Sequence, residues 1–223
     1  MFRELTRIKS VLLVVAVFVF ITGCVATKDY TKFNNAKPAS ILVVPVVNRS
    51  VEVSASDYFL STITIPIAEK GYYVFPVYMV KRVLEDDGLS DADLVHNAPT
   101  QKLSEIFGSD AVLYINIEKW EAKYMLLTTQ VTVDLSYVLK DGDTGEELWA
   151  ERQTMVYVPQ NQSTGNPLAD LLVMAVNAAV TKAAPNYMPL AKQANNNAFA
   201  YPGPGIPSGP YYVKPKPGTT HQN

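Results

Sequence analysis

The residue of this 223-residue chain with the plainest chemistry is Cys24, its only cysteine. It closes the tetrapeptide Ile21-Thr22-Gly23-Cys24, an aliphatic residue and two small ones before a thiol. That is the pattern of a bacterial lipobox. The thiol takes a diacylglycerol, the chain is cut between Gly23 and Cys24, and the freed amine is acylated, commonly by palmitate. Several acyl chains, at ~0.8 kcal/mol per buried CH₂, make an effectively permanent anchor where a single chain does not. The preceding residues fit a signal peptide over residues 1–23: Arg3, Arg7 and Lys9 outweigh Glu4, and an unbroken apolar run follows from Val11 to Ile21. That run falls short of the ~20 apolar residues a membrane-spanning helix requires. An ordinary secretory signal has the same outline, but a lone thiol at the cut site favours lipidation. Val25 follows the cysteine where an aspartate would favour the inner membrane, so the expected location is the cell outer membrane, lipid-anchored and facing the periplasm.

Other reactive groups are few. With Cys24 acylated, no thiol remains for a disulfide, a thiolate metal site or a nucleophile. His96 and His221 are the only histidines, and neither has the neighbours of an ordinary zinc site or a nucleophile-elbow pattern. His96 reads as a surface loop residue. Asp86, Asp87, Asp91 and Asp93 could in principle hold a hard cation, but their spacing is not that of a calcium loop, and a helix end followed by a solvated loop explains them as well. The run Asp141–Glu147 raises the same question, with a hairpin turn as the plainer reading. No P-loop or dinucleotide-binding glycine motif is present. We therefore assign no catalytic, cofactor-binding or metal residues and expect a protein that is not an enzyme. An acidic pocket for a metal or solute is the last-ranked alternative. Removing residues 1–23 takes away three bases and one acid, moving the net charge from −2 to −4, which gives no footprint for nucleic acid.

The elements that must carry these residues divide the chain into parts. Residues 24–38 have no hydrophobic period and read as a flexible tether. Residues 39–185 hold the periodic pattern of one domain. Residues 186–223, with seven of the fifteen prolines, an Asn run at 195–197 and tyrosines 201, 211 and 212 among glycines, read as an extended or disordered tail. Such a tail could also dock in an aromatic-lined groove or thread an envelope layer. Within the domain, Ile41 to Val47 is a continuous apolar run, the mark of a strand covered on both faces, with Pro45 forcing an edge position or a bulge. Residues 54–70 read as a helix, with Ala55, Phe59, Ile63 and Ile67 spaced by four and Gly71 as the stop, although β-branched residues and Pro66 argue against it. A strand over 72–77 and helices over 79–87 and 100–107 follow, the last two ended by Gly88 and Gly108. Three strands are expected at 111–120, 129–139 and 148–158, the second alternating from Val131 to Leu139 and joined to the third by a hairpin. A closing helix over 166–185 is capped by Asn166 and Pro167 and carries one apolar stripe from Leu168 to Ala183. The order βαβααβββα predicts an α/β fold, a mixed sheet with helices packed on it in a single layered domain.

Three segments together resemble a known family: Glu69-Lys-Gly-Tyr-Tyr-Val-Phe-Pro-Val77, Lys102-Leu-Ser-Glu-Ile-Phe-Gly-Ser-Asp-Ala-Val-Leu-Tyr-Ile115 and Asp143-Thr-Gly-Glu-Glu-Leu-Trp149. The family is one of bacterial outer-membrane lipoproteins of unknown function. The likeness runs in order over about residues 39–160, behind the lipobox, and the Tyr-Pro-Gly-Pro segment of the tail is similar too. The resemblance implies a fold like the TolB amino-terminal domain and like the periplasmic domain of the curli-secretion lipoprotein CsgG. It also implies a CsgG-like channel lipoprotein as partner, and it carries no catalytic residues. The expected function is thus a lipid-anchored, non-catalytic interaction protein, accessory to a CsgG-like envelope secretion or transport assembly, with homo-oligomers possible. A lipoprotein regulator of peptidoglycan synthesis, of the penicillin-binding-protein activator type, is the alternative.

Overall fold

The computed structural model describes residues 28–124, 129–158, 177, 179, 186–199 and 205–214. Their elements in chain order are α1 (Thr31–Ala36), β1 (Ser40–Val43), β2 (Val47–Asn48), α2 (Ala55–Glu69), β3 (Tyr73–Val74), α3 (Val77–Asp86), α4 (Ala92–Asn97), α5 (Thr100–Phe107), β4 (Ala111–Tyr124), β5 (Thr129–Asp141), β6 (Glu147–Tyr157) and α6 (Met188–Phe199). The strands form one mixed sheet in the order β3-β1-β4-β5-β6, with β2 also paired to β4. β1 lies parallel to both β3 and β4, whereas β4, β5 and β6 form an antiparallel meander. The chain is thus an α/β domain with helices on a mixed sheet, as its pattern predicts.

The continuous apolar run of β1 is buried on both faces. Ile41 and Val43 enter one core and Leu42 and Val44 the other. Helices α2 and α6 cover the first face through Phe59, Ile63, Leu190 and Phe199, over Val133, Leu135 and Tyr137 of β5. Helices α3, α4 and α5 cover the second, through Val80, Leu84, Val95 and Leu103. The alternation of β5 places Val131, Val133, Leu135, Tyr137 and Leu139 together in the first core. Pro45 does not sit in an edge strand. It falls in the break between β1 and β2, both of which pair with β4, so the missing donor costs no ladder bond. Its carbonyl accepts from His96 Nε2 at 3.0 Å when that nitrogen carries the proton. Pro66 leaves α2 continuous and is itself buried in it. Gly108, at φ 66°, caps α5, and its N–H donates to the Ser104 carbonyl at 2.7 Å.

Two stretches expected to be extended are helical. In the expected tether, Asp29 accepts from the Thr31 N–H and hydroxyl at 2.8 and 2.6 Å and opens α1. Phe33 of that helix is buried against Tyr72, ring centroids 6.3 Å apart in an edge-on arrangement. In the expected tail, α6 packs on α2 although it contains the Asn run. Asn195 is fully buried, and its Nδ2 donates to the Phe59 carbonyl at 3.2 Å and to Thr62 Oγ1 at 2.8 Å, while its Oδ1 has no partner among the described residues. The strand expected over 72–77 is confined to Tyr73–Val74, and α3 begins at Val77. Of the expected closing helix, only Asn177 and Ala179 are described, both helical and exposed. The rest of residues 166–185, like the signal peptide, lies outside the described residues.

Candidate functional site

The strands of the sheet begin or turn at one common level. Ser40 is level with Tyr73, Ile41 with Ala111, Ala111 with Asp141, and Lys140 with Glu147. One carboxylate ties this end together. Asp110 accepts from the N–H groups of Ala39 and Ser40 at 2.9 and 2.8 Å and from the Ser40 hydroxyl at 2.9 Å. The Gly142 N–H of the β5–β6 turn donates to the Asp110 carbonyl at 2.8 Å.

Both described chain ends converge here. The amino-terminal segment crosses from β6 toward β3. Lys28 Nζ lies 2.6 Å from Glu151 and 4.8 Å above the Trp149 ring. Lys32 pairs with Glu146 at 2.6 Å, which holds its ammonium above the ordinary lysine value. The carboxy-terminal segment 205–214 then docks on the same end. The Tyr30 hydroxyl donates to the Gly205 carbonyl at 2.5 Å, and the Tyr72 hydroxyl to the Pro207 carbonyl at 2.7 Å. Burial pushes the Tyr72 phenol far above its ordinary value, so it remains a donor at any physiological pH. The Gly209 N–H donates to the Lys70 carbonyl at 2.8 Å and the Tyr211 N–H to the Gly71 carbonyl at 3.0 Å. Gly71 permits this approach. A Cβ at that position would stand 2.2 Å from the Tyr212 nitrogen, and its φ of +85° disfavours any other residue.

Between α1 and the docked segment lies an open cleft of about 360 Å³, lined by Phe33, Asn34, Lys37, Tyr72, Pro207 and Pro210. Its walls are mainly apolar, with one cation and no carboxylate, a lining suited to receiving an apolar or aromatic group and not to acid–base chemistry.

The acidic residues are engaged elsewhere, one by one. Asp86 faces Arg82 at 3.3 Å, and Asp87 caps α3. Asp91 caps α4, accepting from the N–H groups of Asp93 and Leu94. Asp93 holds Arg49 through a two-point pair, one arm at 2.9 Å. Asp141 accepts from the N–H groups of Asp143 and Thr144 and from the Thr144 hydroxyl, which is turn chemistry. Among the described residues no three His, Cys, Asp or Glu come together to hold a metal.

His96 is not a loop residue. It ends α4 half-buried, edge-on to Tyr114 at 5.2 Å, and burial depresses its basicity. Cys24, the lipobox residues Ile21, Thr22 and Gly23, Tyr201 and His221 lie outside the described residues. The groups that do come together at this end, Tyr30, Gly71 and Tyr72, were not expected from the sequence. Gly71 was legible as a helix stop, while its contact with residue 212 is too distant along the chain for any local pattern.

Comparison with known proteins identifies relatives. The family model described as "Putative lipoprotein GNA1162-like" matches residues 28–211, starting at the lysine docked on Trp149 and ending within the docked tail. The "Putative lipoprotein NMB1124/NMB1162" of Neisseria meningitidis serogroup B is 34% identical over 214 residues, covering 94% of this chain and 99% of that protein. The crystal structure of lipoprotein GNA1162 from Neisseria meningitidis superposes with a TM-score of 0.53 at 36% identity, over 67% of this chain and all (100%) of that one. The LpoB C-terminal domain from Escherichia coli superposes at 0.37 with 18% identity, over 53% of this chain and 84% of that one, too loosely to bear on function.

Proposed function

The chain belongs to the GNA1162-like lipoprotein family, and from that premise we propose that it is a lipid-anchored, non-catalytic interaction protein of the cell envelope. It is processed between Gly23 and Cys24, acylated at Cys24, held at the outer membrane facing the periplasm, and serves as an accessory of a CsgG-like secretion or transport assembly. The observation that carries this reading is the docking of the amino-terminal segment. Lys28 is packed on Trp149 and paired with Glu151. Only four peptide steps separate it from Cys24, a span of at most ~14 Å when fully extended. A domain held that close to its anchor works beside the membrane.

The same observation weakens the peptidoglycan-regulator alternative. A regulator that reaches a synthase across the cell wall needs a long tether, and residues 28–38 are packed on the domain. The non-catalytic part of the reading is supported by Asp86, Asp91, Asp93 and Asp141, whose carboxylates are held by an arginine or by backbone N–H groups.

In-cell photo-crosslinking of the tagged, lipidated protein, with captured partners identified by mass spectrometry, tests the proposal. Capture of a CsgG-like channel lipoprotein is the expected result. Capture of a cell-wall synthase without any channel component would overturn it in favour of the regulator.

A further inference from the structure

Three consecutive residues with exposed apolar side chains lie within the docked stretch of the tail. Tyr211 is 64% exposed, Tyr212 39% and Val213 83%. They are not ends of a loose terminus. The backbone before and among them is fixed by the bonds from Gly209 to Lys70, from Tyr211 to Gly71 and from Tyr212 to Gly209, the last at 3.2 Å. The Tyr212 backbone is pressed against Gly71, so the segment is held in place while the three side chains stay exposed. Lys214 follows them and Lys37 ends α1 nearby, both exposed. A fixed pair of tyrosines with a valine and lysines at hand is a composition met at membrane–water interfaces, where the ring is half-sheltered and the hydroxyl stays wet.

The amino-terminal segment says which surface this group faces. It reaches Gly205 through Tyr30, two residues after Lys28, and Lys28 is at most ~14 Å along the chain from the acylated cysteine. The end of the domain at which β1, β3 and β4 begin is therefore the end tied to the bilayer. We infer that Tyr211, Tyr212 and Val213 lie in the phospholipid headgroup layer of the leaflet that holds the lipid anchor, and so orient the domain with this end down. The inference rests on the proposed lipidation of Cys24 and adds the face that meets the membrane. The loop between β2 and α2, with Val51 and Val53 at 89% and 86% exposure, then points into the periplasm.

The mature lipoprotein has no free thiol once Cys24 is acylated, so a single introduced cysteine can carry a fluorophore. Val213→Cys and Val53→Cys replace side chains with little burial. Each labelled, full-length lipoprotein is placed in vesicles of phosphatidylethanolamine and phosphatidylglycerol containing a lipid with a headgroup-level spin-label quencher. The expected result is quenching at 213 several-fold stronger than at 53. Equal quenching at the two sites, stronger quenching at 53, or protection of 213 by a protein partner instead of by lipid would overturn the inference. The mass of the amino-terminal peptide separates the two levels. An unacylated Cys24 would sink both the anchor and the orientation, whereas an acylated Cys24 with an unquenched label at 213 would sink the orientation alone.

Discussion

Burial keeps the His96 imidazole below its ordinary value. The Pro45 carbonyl and Asp93 pull the other way, and Arg49 and Lys140 add to the depression. Tyr114, its remaining close neighbour, is uncharged and has its own ionisation pushed up by burial. The sign of the linkage follows. As pH falls, the unfolded chain takes up this proton before the folded one does. The contribution of neutral His96 is thus complete above the ordinary imidazole value and is lost as pH drops through it toward the lower, folded value. Urea-unfolding midpoints measured at about pH 7 and about pH 5 should fall with acid, and His96→Phe should flatten that fall. An identical drop in the variant would remove His96 from the acid response. The sequence reads His96 as a loop residue because a six-residue helix with one buried apolar side chain, Val95, leaves no periodic trace.

At the scale of elements, Gly71 is where helix, strand edge and tail meet. Gly71→Ala would put a methyl group against the Tyr212 backbone and force an unfavourable φ, at ~1 kcal/mol or more before any clash is counted. We expect the domain to remain folded while the segment 205–214 detaches, read as faster hydrogen exchange at the amides of Gly209 and Tyr211 and faster proteolysis after Tyr212. Unchanged protection at both amides would show that the tail is held by other means. The elements most legible in the sequence were those with a long or unbroken pattern. The both-face burial of β1, the alternation of β5 and the four-residue spacing of α2 each follow from side-chain period alone. Helix α1 offers a single large apolar residue, Phe33, and so no period. Helix α6 did carry one, with Leu190, Ala194 and Ala198 at intervals of four. Its Pro189 and three asparagines masked that signal, because only the partner helix reveals where the Asn195 amide nitrogen donates. The candidate site was the least legible part, since Tyr30–Gly205 and Tyr72–Pro207 join residues 175 and 135 positions apart.

For the whole molecule, the domain does not end at residue 185. Leu190 and Phe199 are buried against the face formed by Phe59, Tyr137 and Trp149, and each is worth ~1.5–3 kcal/mol of burial. Two such losses are a large fraction of the ~5–15 kcal/mol that a domain has in total. A chain truncated after residue 185 is expected to lose its cooperative thermal transition. A melt as sharp as that of the full chain, and within a few degrees of it, would show that α6 is dispensable. The contacts that close the sheet end bear on the order in which the protein is made. For a chain exported amino terminus first, Tyr30 and Tyr72 emerge well before their partners Gly205 and Pro207. The proposed anchoring at Cys24 can precede this closure, but closure cannot precede release of residues 205–212 from the export channel. Under the proposed lipidation, the final folding step is then made by a chain already fastened to the bilayer.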